Sequence, residues 1–254
     1  MLHHRDRGIP IDLKIDATPL SDLAEAYEVQ DAADEILRAE RRAVCIGYKI
    51  AGTNAAARKP LGIAEPFYGR LYDAQTSPSP ASLPKQPAFF RLIEPEIAVQ
   101  IDRDLDPSEA PFRAETIEQV TRAIVPAIEI IGTHFKPWTQ GGALNFASDN
   151  AVHGHWIMGM PITDWSSFDL MDDPIELKVD GDVAATGSGR NVDDGAFGAT
   201  AWLANALAAR GRGLKAGDYI TTGSATPPLP IDAQTTIIAS FGTLGSVELR
   251  FSGE

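Results

Sequence analysis

The chain has a single cysteine, Cys45, among 254 residues. An intrachain disulfide is impossible and a cysteine-based zinc site is excluded. In its setting, "RRAVCIGYKI", Cys45 reads as a small buried side chain rather than a nucleophile. Positive charge is also scarce, with 22 Lys and Arg against 35 Asp and Glu and a formal net charge of −13. Such a surface repels phosphate backbones and anionic membranes, which argues against nucleic acid as a partner. A protein of this charge that handles small anions must bring positive charge to its site, from a lysine, an arginine or a metal. No uncharged apolar run is long enough to cross a bilayer, and the opening "MLHHRDRGIPIDLKID" lacks the apolar centre of a signal peptide. No membrane association and a cytoplasmic location are therefore expected. Internal repeats are absent, and His3 and His4 are assigned no role.

What is present supports a substantial core, with 44% hydrophobic residues. "PLSDLAEAYEVQDAADEILRAERR" predicts a helix with Ser21 as N-cap and Leu23, Tyr27, Gln30 and Leu37 along one stripe. "AVCIGYKIAG" predicts a strand with Val44, Ile46, Tyr48 and Ile50 on one side and Cys45, Gly47 and Lys49 on the other. The segment 74–87, "AQTSPSPASLPKQP", is expected to be a long loop or lid because of its four prolines. Beyond it, "AETIEQVTRAI" predicts a helix, "VPAIEII" and "HWIMGMPI" strands, and "PIELKVDGDVAATGSG" a hairpin turning at Asp180-Gly181. "AFGATAWLANALAARG" predicts a helix capped by Asp193 or Asp194 and ended by Gly211, and the remaining tail reads as strands. Helices cluster early and strands dominate later without a βαβ rhythm. The pattern argues for an α+β fold with a largely antiparallel or mixed sheet, not a Rossmann fold.

Three carboxylates and one lysine stand out. In "RLIEPEIAVQID" a period of two puts Ile93, Pro95, Ile97, Val99 and Ile101 on one face. Glu94 and Glu96 then share the other face, about 7 Å apart along the chain. Taken alone, a solvent-facing strand surface explains them. Glu129 lies within the apolar run "IVPAIEIIG", where an unpaired ionised carboxylate costs several kcal/mol, so it must be protonated, paired or bound to a cation. Three converging carboxylates make an oxygen-rich site for Mg²⁺ or Mn²⁺ with positions left for water or substrate. Lys49 is the only charge in its strand; it reads either as a snorkelling lysine or as a catalytic one whose pKa is lowered by burial and a nearby metal.

These residues, with "GYKIAGTN", "IEPEIAV", "PAIEII", "DNA" at 149–151, "AWLANALAARGRGLKAGDYITTGSATPPLP" and "FGTLGSVELRF", resemble the 2-hydroxypenta-2,4-dienoate (2-keto-4-pentenoate) hydratases. Those belong, with the 4-oxalocrotonate decarboxylases, to the fumarylacetoacetate hydrolase superfamily. The resemblance runs in order from about residue 20 to the end. It implies a mixed β-roll: a single catalytic domain over 1–254, with a helical N-terminal portion to about residue 60 and the β-roll core from about 61. It further implies a metal on Glu94, Glu96 and Glu129, a catalytic Lys49, and substrate contacts from Ser224 and Thr226 in "TGSATPP" and from Asp73 in "YGRLYDA".

The implied activity is that of a divalent-metal-dependent lyase of aromatic-compound breakdown. It hydrates a small 2-hydroxydienoic (2-oxo-alkenoic) acid to a 4-hydroxy-2-oxo acid, in a homo-oligomer. Lys49 carries a proton during tautomerisation and water adds at C4. Decarboxylation of a 2-oxo dicarboxylic acid uses the same metal and lysine and is the alternative. C–C hydrolysis of an acylpyruvate, with His153 or His155 supplying an imidazole, and a non-catalytic partner subunit are further readings. The departures from the family lie in the pocket. After "DNA" stands "VHGHW", which places Val152, His153, His155 and Trp156 there and makes the histidines candidate substrate contacts. "GRNVDDGAFGATAW" likewise lacks the small polar sequence usual before that helix.

Overall fold

Two helices precede the first strand in the computed structural model, which describes residues 2–15, 19–84, 90–231 and 235–252. They are α1 (Leu2–Arg7) and α2 (Leu23–Arg41). Asp22, not Ser21, caps α2, its side chain accepting from the Glu25 amide at 2.9 Å. Ser21 stands one residue outside and donates its amide and hydroxyl to the Glu25 carboxylate. The helix buries Ala26, Tyr27, Gln30 and Asp34. Gln30 tolerates burial because its amide donates to the carbonyls of Tyr68 and Ala147, at 3.0 and 2.8 Å, so its polar atoms are satisfied.

The alternating stretch around Lys49 forms β1 (Cys45–Ala51), followed by α3 (Ala55–Arg58) and β2 (Phe67–Tyr72). The proline-rich segment is not one long loop: it holds β3 (Thr76–Pro78) and β4 (Ala81–Pro84), while 85–87 lie outside the described residues. Proline cannot donate to a ladder, and both strands lie at the ends of their sheets, where that donor is not needed. Then come β5 (Phe90–Ile101), α4 (Ala114–Gln119) and β6 (Thr121–Thr133). The expected helix thus stops five residues early, and the chain from Thr121 joins the strand, pairing from Ile101↔Thr121 onward.

The rest comprises α5 (Gly142–Ser148), β7 (His153–Met158), β8 (Ile175–Val179), β9 (Asp182–Gly187) and α6 (Gly195–Ala208). The last four strands are β10 (Tyr219–Ser224), β11 (Leu229–Pro230), β12 (Thr236–Ser240) and β13 (Ser246–Ser252). Asp180 and Gly181 turn the β8–β9 hairpin with φ of 50° and 95°, the left-handed pair that matches strand twist. Asp194 precedes α6 but makes no side-chain cap, and Gly211 follows the helix with φ of 68°.

An eight-stranded mixed sheet runs β2-β1-β10-β5-β6-β7-β3, with β11 also paired to β5. A five-stranded sheet runs β4-β13-β12-β8-β9. The fold is of the α+β class, with the mixed sheet that the order of elements predicts. One apolar cluster extends from Tyr27 of α2 through Ile93, Ile97 and Ile128 to Val247 and Leu249. A smaller one, Leu71, Ala98, Val125, Ala127 and Trp156, lies on the other face of the large sheet. No helix among the described residues is long and apolar enough to cross a membrane.

Candidate metal centre

The register of β5 on β6 sets Glu94 directly opposite Glu129, and Glu96 opposite Ala127. Opposed residues of an antiparallel pair have Cβ atoms about 5 Å apart, so the like charges of Glu94 and Glu129 need compensation. One ligand oxygen from each of Glu94, Glu96 and Glu129 lies within 4.8 Å of the others. Glu96 and Glu129 are fully buried and Glu94 half-buried.

Lys49 is three strands away from β6 in the sheet order, about 14 Å at ordinary strand spacing. Its Nζ nevertheless stands 3.2 Å from Glu129 Oε2. The sheet must curl sharply for these side chains to meet, and its concave side holds the site. Nζ also donates to the Ala151 carbonyl at 3.2 Å. Glu96 accepts on Oε2 from the Thr221 hydroxyl and from the Gly223 amide, the latter at 2.7 Å. Gly223 is obligatory here. Its φ is 106°, and a Cβ would fall 1.8 Å from the Thr53 hydroxyl.

The electrostatics show what the site lacks. Burial pushes Glu94 up to about 7; Lys49 opposes this and Glu129 adds to it. Glu96 goes well above the ordinary range through burial and its two carboxylate neighbours. Burial acts the same way on Glu129, but the Lys49 charge and the His153 hydrogen bond outweigh it and hold this carboxyl low. Burial would lower Lys49, yet Glu129, Glu94 and Glu96 together raise it. Three carboxylates thus outweigh burial at the Lys49 ammonium, whereas the lowering expected from the sequence was that of burial together with a metal.

One ammonium for three carboxylates leaves the pocket short of positive charge. Glu96 Oε1 is buried without a hydrogen-bond partner among the described residues, and Glu129 Oε2 has the Lys49 ammonium as its counter-charge. One unpartnered carboxylate oxygen, a second held only by the Lys49 ammonium and a third carboxylate beside them are the donor set a hard divalent cation takes, and the residues fit one. Glu94, Glu96 and Glu129 are the residues that could hold a divalent metal.

The other expected residues divide. Ser224 is paired in register with Glu96, and its hydroxyl donates to the Thr226 carbonyl at 2.7 Å. Thr226 is buried and donates to Pro227. Asp73 is not brought to the site. It is exposed beyond the Cys45 end of β1, about 13 Å along the strand from Lys49, and its carboxylate accepts from the amides of Val44 and Ala74.

His153 and His155 part company at a β-bulge. Ile130 pairs with His155 and Ile131 with His153, so Gly154 is the extra residue. His153 joins the Glu129 face, with Nδ1 2.9 Å from Glu129 Oε1, whereas His155 takes the opposite face with Nε2 2.9 Å from the Ser77 hydroxyl. The bulge also puts Trp156, fully buried and opposite Glu129, on the inner face beside Leu71, Ala98 and Ala127.

Sequence reasoning missed Thr221, Gly223 and the Ala151 carbonyl. The alternation of "YITTGS" would have indicated that Thr221 and Gly223 share a face. Nothing in "DNAV" announces that Asn150, Ala151 and Val152 all adopt φ between 52° and 54°. A left-handed backbone costs about 1–2 kcal/mol per non-glycine residue and is worst for a β-branched one. Arg5 of α1 braces this turn, its Nε 2.9 Å from Asp149 Oδ1 and its Nη1 donating to the His153 carbonyl at 3.0 Å.

A curled mixed sheet with three clustered glutamates, two of them fully buried, and a lysine on its concave side has the donor set of a divalent-metal enzyme. No family model matches the chain. It is 30% identical over 236 residues to the TodF product hydratase of Pseudomonas putida, covering 91% of this chain and 85% of that protein. It is 29% identical over 237 residues to the 2-keto-4-pentenoate hydratase of Paraburkholderia phymatum, covering 93% and 89%. Among solved structures, 4-oxalocrotonate decarboxylase from Pseudomonas putida, complexed with magnesium and adipate, superposes with a TM-score of 0.92 at 25% identity, over 99% of this chain and 94% of that one. The chain belongs to the 2-keto-4-pentenoate hydratase and 4-oxalocrotonate decarboxylase family of the fumarylacetoacetate hydrolase superfamily.

Proposed function

We propose that this protein is a hydro-lyase that adds water to a 2-hydroxydienoate, giving a 4-hydroxy-2-oxo acid, with Mg²⁺ or Mn²⁺ on Glu94, Glu96 and Glu129. The observation that carries the reading is the contact of Lys49 Nζ with Glu129 Oε2 beside the unpartnered Glu96 Oε1, in a chain whose hydratase relatives match along more than nine-tenths of its length. When bound, the cation supplies Lewis-acid polarisation of the substrate's C2 oxygen and a counter-charge for its carboxylate.

The chain's own residues do the rest. Thr221 and Gly223 hold Glu96 in place through Oε2. Once positive charge offsets the carboxylates, burial becomes the dominant influence on Lys49 and favours its neutral amine. Lys49 is then suited to take a proton at Nζ and return it to the substrate carbon during tautomerisation, with the Ala151 carbonyl steadying it. Leu71, Ala98, Val125, Ala127 and Trp156 form an apolar floor that keeps bulk water from the reacting carbons. Ser224, next to Glu96, is the candidate partner for a substrate carboxylate.

Decarboxylation of a 2-oxo dicarboxylate is the second reading, favoured by the superposition on the decarboxylase over 99% of this chain. The test is a substrate screen with Mg²⁺ or Mn²⁺ present. Loss of dienoate ultraviolet absorbance without CO₂ release supports the hydratase, and CO₂ from an oxalocrotonate-type acid supports the decarboxylase. A thermal titration with metal, with and without oxalate, precedes it; no rise in melting temperature with either sinks both readings.

A further inference from the structure

His153 opens β7 directly after the left-handed turn at Asn150, Ala151 and Val152. Its imidazole is fully buried, and Glu129 Oε1 is the partner of Nδ1 at 2.9 Å. A carboxylate only accepts, so Nδ1 carries the hydrogen and Nε2, buried without a partner among the described residues, is the bare nitrogen. The opposite oxygen, Glu129 Oε2, faces Lys49 and is not engaged by His153, and one oxygen of Glu129 lies within 4.8 Å of oxygens of Glu94 and Glu96. The two oxygens of Glu129 are therefore assigned to different partners by one side chain.

The backbone around His153 is shaped to hold it there. The left-handed turn at Asn150, Ala151 and Val152 is closed by the Val152 amide donating to the Asp149 carbonyl at 3.0 Å. It is tied to β2 by Asn150, which donates to the Arg70 carbonyl and accepts from the Arg70 amide. The same turn delivers the Ala151 carbonyl to Lys49. On its other side, the bulge at Gly154 turns His153 towards Glu129; a Cβ there would lie 2.7 Å from the Ile130 carbonyl oxygen. Non-glycine residues held at positive φ persist only where surrounding structure over-determines them, and they cluster at functional sites.

We propose that His153 is a positioning residue that occupies Glu129 Oε1 and so restricts Glu129 to a single oxygen, Oε2, as its ligand to the divalent cation. This rests on the metal-site reading above. A carboxylate offering one oxygen suits the strict octahedron of Mg²⁺, whereas Ca²⁺ accepts a carboxylate through both oxygens. His153 thereby sets the preference of the site for the smaller cation.

The test is calorimetric titration of Mg²⁺ and of Ca²⁺ into wild-type protein and into three variants, with circular dichroism to verify folding. His153→Leu removes the donor; Mg²⁺ affinity should fall about ten- to hundredfold, as when a group supporting a metal ligand is lost, while Ca²⁺ affinity falls by less. His153→Asn, whose amide nitrogen can stand where Nδ1 stands, should restore the wild-type ratio of the two affinities. His153→Gln, with its amide nitrogen at the Nε2 distance, should not. If the leucine variant does not fold, the asparagine–glutamine pair decides the matter alone. A wild-type protein that binds Mg²⁺ and variants with its affinities for both ions would overturn the proposal and leave the metal site standing. A wild-type protein that binds neither ion would overturn both.

Discussion

Lys49 Nζ and Glu129 Oε2 stand 3.2 Å apart, and solvent reaches neither side chain appreciably. The pair links two strands that are not neighbours in the sheet, so it fixes the curl as well as the charge balance. Breaking a buried pair from one side leaves an uncompensated charge. Lys49→Met should lower stability in a chelator by about 3 kcal/mol. Adding Mg²⁺ or Mn²⁺ should narrow that gap, since a cation replaces the lost charge, while turnover stays abolished. Denaturant titrations with and without metal, beside the ultraviolet assay, check all three outcomes; near-normal turnover would remove Lys49 from the chemistry.

Glu129→Gln keeps the shape of the side chain and removes its charge. Divalent-cation affinity should drop by more than about a hundredfold, beyond the loss expected for a group that only supports a ligand. Calorimetry reads this directly. Unchanged metal affinity would return Glu129 to a structural ion pair with Lys49.

His155 faces away from the carboxylates, and burial pulls its pKa down to about 4, with a smaller contribution from His153. The ordinary histidine value is about 6.5, so below that pH the unfolded chain takes up a proton that the folded chain refuses. Stability is lost as pH falls from about 6.5 to about 4, by up to roughly 3 kcal/mol, and not above that window. His155→Gln should lack this decline. Parallel denaturation curves at pH 7 and pH 4.5 for the two proteins provide the comparison, and equal pH dependence in both would refute the assignment.

Asp31 of α2 binds Arg70 of β2, Arg210 and Arg212, tying the helical portion to the sheet and to the chain after α6. Burial opposes its ionisation, but hydrogen bonds from Arg212 and Arg70 prevail and hold its pKa at about 2. Its folded value is depressed, so its contribution is present above about pH 4 and fades as pH falls towards 2. Because the group is partly exposed, solvent screening reduces the contribution to about 1 kcal/mol. Asp31→Asn should cost that amount at pH 7 and almost nothing at pH 2. An equal cost at both pH values would point to lost packing rather than charge.

Much of the site was legible because charge in an apolar strand is conspicuous. Glu94, Glu96, Glu129 and Lys49 each interrupt a pattern that burial explains, and the α+β class follows from where helices and strands fall. The partners of those residues were not legible, since each depends on long-range register. Asp73 looks acidic and near in sequence, yet it sits beyond the far end of β1. Thr221 meets Glu96 only because β10 pairs with β5, and its neighbour Ser224 was the more visible hydroxyl. The short strands at 76–78 and 81–84 were hidden by prolines that their edge positions tolerate.

The bulge at Gly154 has a consequence for how such proteins diverge. In a regular β7, two histidines separated by one residue would sit on the same side of the strand; here one added residue sends a single imidazole inward and keeps the other behind the sheet. Strand length is thus a heritable variable alongside side-chain identity: gaining or losing one residue exchanges what the interior contains without substituting anything. Where related chains are aligned through this stretch, the position of the gap carries the chemical information, and matching letters at 153–156 do not.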